Sequence, residues 1–149
     1  MENRIDSGGG SGVSSRLFFS VSGNPQEDYQ IISETIVVTS DYDGQGQTFR
    51  AAPAFTGSLF EVQSGSLSNC RVIGNQSGYG VYVTGNNVTV DNVQVESCLR
   101  GIEIEADNVT VQGCTVTTAK DFGICLLNCD TVLIDNCRCS GCGNDGLKL

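Results

Sequence analysis

Gly80-Val81-Tyr82-Val83 is followed by Gly101-Ile102-Glu103-Ile104, Gly123-Ile124-Cys125-Leu126 and Gly146-Leu147-Lys148-Leu149. The glycines at 80, 101, 123 and 146 are 21, 22 and 23 residues apart, and Leu59-Phe60-Glu61-Val62 fits 21 residues before the first of them. Each copy places apolar residues at alternate positions, the period of a strand with one buried face. The inward stack is therefore expected to be Phe60, Val81, Ile102, Ile124 and Leu147, with Val62, Val83, Ile104, Leu126 and Leu149 beside it.

Two further strand-like segments recur in the same order within each period. One is Val88-Thr89-Val90, Val109-Thr110-Val111 and Val132-Leu133-Ile134; the other is Cys70-Arg71-Val72, Val93-Gln94-Val95, Cys114-Thr115-Val116 and Cys137-Arg138-Cys139. Asp91-Asn92, Gln112-Gly113 and Asp135-Asn136 separate the two, and Asn and Gly suit the positive φ of a sharp corner. A weaker copy runs through Ile36-Val37-Val38-Thr39 and Thr48-Phe49. Three short strands per period, repeated without a helical stretch, predict an all-β parallel solenoid, since a sandwich or meander does not require equivalent triplets. Residues 29–149 supply about five rungs of ~22 residues, stacked at roughly 4.8 Å.

Composition bounds the rest. The 149 residues suit one domain, and 17 acidic against 8 basic side chains give a net charge of −9, which argues against nucleic-acid binding. Absence of histidine excludes Ser-His and Cys-His catalysis and imidazole metal sites. Glycine is plentiful (19) and proline scarce (2), which reads as many turns in an ordered chain. The N-terminus has no basic stretch leading into an apolar one, so no signal peptide is expected, and no apolar run is long enough for a membrane span. Residues 1–28 lack apolar periodicity and contain Gly8-Gly9-Gly10-Ser11-Gly12, a flexible arm in which Leu17, Phe18 and Phe19 are the expected attachment anchors.

Cys70, Cys114, Cys137 and Cys139 fall at inward positions that other rungs fill with Val, where a thiol packs as a small hydrophobe. That placement disfavours a zinc centre of Cys129, Cys137, Cys139 and Cys142, and no metal or other cofactor is expected. Cys98 and Cys142 lie two rungs apart, too far for a disulfide, whereas Cys114 and Cys137 on adjacent rungs leave a pairing open. Cys125 alternates outward and is a reactive-thiol candidate if exposed.

The segment Asp43-Gly44-Gln45-Gly46-Gln47-Thr48-Phe49, the repeated Asn-Val-Thr-Val at 87–90 and 108–111, and Asp145-Gly146-Leu147 resemble the right-handed parallel β-helix superfamily. It includes pectate lyases, polygalacturonases, alginate epimerases and bacteriophage tail spikes. In its polysaccharide-active members, the resemblance implies, chemistry sits on one outward face. Here that stripe is Glu61, Tyr82, Glu103, Cys125 and Lys148, with Arg100, Lys120, Asp121 and Asp145 in the preceding turn. Two of those families need a His that this chain lacks, and no adjacent pair on the stripe is carboxylate–carboxylate, so no catalytic residue is assigned. The outward charges are expected to be solvated, and Tyr82, Arg100, Glu103 and Asp121 are the candidate carbohydrate-binding residues. Outward Thr89, Thr110 and Leu133 do not make the flat Thr array of an ice-binding face.

A glycine-led strand without a capping element ends the sequence at Leu149, which leads to the expectation of an uncapped rung covered by another copy or partner. By analogy with phage spikes, the expected role is a non-enzymatic virion protein, a capsid-decorating or tail-associated homo-oligomer (a trimer) bound to viral capsid or tail proteins. The alternative is a carbohydrate-binding or polysaccharide-cleaving β-helix.

Overall fold

In the computed structural model, residues 19–20 and 29–149 are described. Among them there are fifteen strands and no helix. In chain order these are β1 (Phe19–Ser20), β2 (Gln30–Ile32), β3 (Ile36–Val38), β4 (Tyr42–Ala51), β5 (Phe60–Val62), β6 (Ser66–Ile73), β7 (Tyr79–Val83) and β8 (Thr89–Glu96). Then follow β9 (Arg100–Ile104), β10 (Val109–Gln112), β11 (Thr115–Thr117), β12 (Ile124–Leu126), β13 (Val132–Asp135), β14 (Arg138–Ser140) and β15 (Leu147–Lys148). A six-stranded sheet runs β15-β12-β9-β7-β5-β3, and a nine-stranded one runs β1-β2-β4-β6-β8-β10-β13 with β11 and β14 alongside. Every pairing is parallel except β1 with β2, so the chain climbs one rung per turn for about five turns.

The register follows the sequence repeat. Ile36, Phe60, Val81, Ile102, Ile124 and Leu147 are successive partners up the six-stranded sheet. Leu67, Val90, Val111 and Ile134 stack on the other sheet, as do Phe49, Val72, Val95, Val116 and Cys139. These rows meet in one continuous core in which Phe49 and Phe60 pack edge to face, their ring centroids 5.0 Å apart. Leu147 takes its expected place in the stack opposite Ile124, but Leu147 and Leu149 are 47% and 82% exposed, because no strand among the described residues lies beyond β15 to cover that rung.

Two structural roles of glycine and asparagine separate here. Corners between the second and third segments are single residues in the left-handed region: Asn69, Asn92, Gly113 and Asn136 have φ of 56°, 55°, 61° and 52°. In β6 and β8 the strand continues through this bend. Asn92 Nδ2 donates to Asn69 Oδ1 (2.9 Å), and Asn69 Nδ2 to Asp43 Oδ1 (3.1 Å), an amide ladder along the column edge. Gly80, Gly101 and Gly123, by contrast, are not turn residues. A Cβ at Gly101 would overlap Val116 Cγ1 and lie 2.6 Å from Gly123 O; one at Gly123 would lie 2.6 Å from Gly146 O and 2.8 Å from Cys139 Sγ. Their absent side chain lets the six-stranded sheet close onto the third segment. Glycine thus serves both at positive-φ turns, as at Gly65, Gly78 and Gly113, and at these closely packed strand starts.

All eight cysteines are free thiols, including Cys114 and Cys137. Cys70, Cys98 and Cys114 are buried, and desolvation pushes each thiol up to about 12. Cys125, expected outward, is also buried, and burial followed by the nearby Glu103 raises its pKa. No cluster of three or more metal-ligating side chains occurs among the described residues.

Two outcomes follow from this packing. Gly101→Ala will destabilise the column by about 2 kcal/mol or more through overpacking, whereas Gly113→Asn, at a positive-φ corner where a Cβ meets only ordinary contacts at 3.8 Å, will add up to about 1 kcal/mol by extending the amide ladder; paired urea melts measure both. Alkylation by iodoacetamide at pH 8, read by intact mass, will stop at four adducts in the folded protein, since only Cys129, Cys137, Cys139 and Cys142 are partly exposed. A fifth adduct without unfolding contradicts the packing described for Cys70, Cys98, Cys114 and Cys125.

Candidate functional site

Each glycine of the 80, 101, 123 and 146 row is preceded by a residue on the rim of the six-stranded sheet: Tyr79, Arg100, Phe122 and Asp145. Tyr79 is in register with Arg100, and the Gly101 amide donates to Phe122 O while that of Gly123 donates to Asp145 O. Three residues further on lies the second outward row, Glu61-Tyr82-Glu103-Cys125-Lys148, also in register. The two rows make one face one rung apart per residue.

Arg100 organises this face. Its Nε donates to Asp121 Oδ2 (3.0 Å), and its Nη1 donates to Glu103 Oε1 (3.0 Å) and Oε2 (3.2 Å). The guanidinium lies between two rings, 5.8 Å from the Tyr79 centroid and 5.3 Å from that of Phe122, within cation–π range. Lys148 Nζ sits 5.8 Å from the same Phe122 ring. Tyr79 and Tyr82 meet edge to face at 5.5 Å, and Tyr82 Oη donates to Glu105 Oε2 (3.0 Å). Burial first and that hydrogen bond second push the Tyr82 phenol up to about 12.

The expectation that the outward charges are solvated is corrected at Glu103. Glu103 is 1% exposed, the one charged side chain buried among the described residues, while Arg100 above it keeps 25% of its side chain exposed. The reason is local. Glu103 lies three positions after Arg100, close enough for the long guanidinium to fold over its carboxylate. Glu105, Asp107, Lys120 and Asp145 do remain exposed.

The structure thus brings together Arg100, Glu103 and Asp121 directly and Tyr82 through Tyr79. Tyr79 and Phe122 belong to the same face but were not among the residues singled out from the sequence; their shared position, one residue before a row glycine, was the available signal. Phe19 lies in β1, which pairs with β2 through Phe19–Ile31 and Ser20–Gln30. Leu17 and Phe18 fall outside the described residues.

Chemically, Arg100 is held above its already high ordinary pKa, chiefly by the Glu103 hydrogen bond, so it stays charged and takes up no proton. The Asn144 amide first, then Arg100, hold Asp121 below the usual carboxylate range, so it is ionised at neutral pH. Both Glu103 oxygens accept from Arg100. Glycoside cleavage needs one carboxyl that carries a proton and another free to act as base or nucleophile; here Glu103 and Asp121 share one cation, and Glu105 accepts from Tyr82.

A parallel β-solenoid with a polar and aromatic outward face is the class that fold and site define. A family model described as a right handed beta helix region matches residues 58–149, well over half the chain, and the protein belongs to that family. No curated protein matches the sequence.

Removing one partner from a buried ion pair strands the other charge. Arg100→Met will therefore cost about 3 kcal/mol, measured by urea denaturation, and Arg100→Met combined with Glu103→Leu will recover at least half of that loss. Equal losses in the single and double variants contradict a buried-charge penalty at Glu103.

Proposed function

We propose that the protein binds a saccharide on the outward face of the six-stranded sheet, across Tyr79, Tyr82, Arg100 and Phe122. The observation that carries this reading is the Arg100 arrangement, a fixed guanidinium between two partly exposed rings spaced along the column. A sugar offers C–H-rich faces for rings and a rim of hydroxyls for polar groups, and this face presents both in fixed geometry. Arg100 is held on Glu103 and Asp121, and Tyr82 on Glu105, so little side-chain entropy is lost on binding. The charge-paired state of Glu103 and Asp121 favours binding over cleavage. Glycan-array binding will be at least tenfold weaker for Tyr79→Ala and for Tyr82→Ala, with no reducing or unsaturated ends released from bound polysaccharide. Wild-type binding by both variants overturns this reading.

The homo-oligomeric virion role expected from the sequence is a second proposal, for which β1 is the favourable observation. Phe19–Ser20 adds an antiparallel strand to the first rung of its own chain, and exchange of that strand between copies would join them. Light scattering will then give a trimer that dissociates when residues 1–28 are removed; a monomeric full-length chain overturns it.

A further inference from the structure

The inference here rests on the saccharide reading and concerns the charge of the sugar. Along the face and its adjoining turns stand Glu61, Glu103, Glu105, Asp107, Asp121 and Asp145 against Arg100, Lys120 and Lys148. Carboxylates outnumber cations two to one, on a chain whose net charge is already −9. The central cation is committed: with Glu103 and Asp121 bonded to it, the Arg100 cluster carries a net −1. A ligand carboxylate or sulfate brought to that guanidinium would be its third anion, with Glu105 on the same rung and Glu61 two rungs away adding to the negative field. Like charges confined to one partly desolvated face repel.

Arg100 nevertheless keeps a recognition group. Its Nε and Nη1 are spent on the two carboxylates, and no described residue accepts from Nη2. The side chain is one-quarter exposed, with Tyr79 and Phe122 on either side. A donor of this kind, flanked by rings and set in a negative field, suits a neutral oxygen acceptor such as a hydroxyl, a ring oxygen or an acetamido carbonyl.

We propose that the ligand is an uncharged saccharide, stacked over Tyr79 and Phe122, with one neutral oxygen accepting from Arg100 Nη2. Acidic glycans are excluded by the carboxylates that hold Arg100 in place.

Native affinity gels containing neutral polysaccharides (galactomannan, mixed-linkage glucan, arabinogalactan) or polyuronates (polygalacturonate, alginate) test this, each run at 50 and 500 mM NaCl as roughly a Debye length of 14 Å against 4 Å. At least one neutral gel will retain the protein equally at both salt concentrations, and the polyuronate gels will not. Arg100→Lys, which keeps the charge but removes the Nη2 donor, will weaken retention about tenfold. Should circular dichroism show that variant unfolded, Phe122→Leu gives the same readout from the flanking ring. Salt-sensitive retention in polyuronate alone overturns the neutral ligand and leaves the saccharide face standing. Lack of retention in every gel overturns both, and undiminished retention of the folded variant overturns the Nη2 contact.

Discussion

Close approach at one row of glycines sets the rest of the structure. At Gly80, Gly101 and Gly123 the backbone of the six-stranded sheet comes so near Val95, Val116 and Cys139 that a β-carbon has no place to go. That proximity keeps the solenoid narrow, so that side chains from both sheets, mostly Val and Ile, meet in one continuous core. It also fixes the phase of each rung. With glycine pinned against the third segment, the apolar residues that follow it must point inward, and a one-residue slip would reverse every side chain.

The same row places the candidate site. Because Tyr79, Arg100 and Phe122 each precede a pinned glycine, they emerge at equivalent points on successive rungs and stack as ring, guanidinium, ring. Arg100 then covers Glu103 on its own rung and reaches Asp121 in the turn leading to the next. A buried carboxylate is costly to leave unpaired, which fixes Arg100 in one rotamer. Rigidity of the face is thus a consequence of the charge it hides.

Much of this was legible in the sequence. The glycine intervals and the alternation after them gave the strands, their register and the inward stacks, because strand periodicity and rung spacing are both local rules. Asn92, Gly113 and Asn136 marked the corners for the same reason. Burial on the outward face was not legible. Alternation assigns Glu103 to the surface, and only the reach of Arg100 across three residues, with Tyr82 and Cys125 in register on either side, removes it from water. Phe122 lies outside the strands and matters through its rung neighbour, so only its place one residue before Gly123 marks it in the sequence. The pairing of β1 with β2 had no periodic signal at all; two residues are too short to show one.

The central claim is that the ring–guanidinium–ring row is where a ligand meets the protein. Titration of ring-labelled Tyr and Phe with a neutral hexasaccharide, followed by NMR, tests it most directly. The signals of Tyr79, Tyr82 and Phe122 are predicted to shift saturably while those of Tyr42, Phe49 and Phe60 in the core stay fixed. Saturable shifts confined to other rings, or no shift in any ring at millimolar sugar, would contradict it.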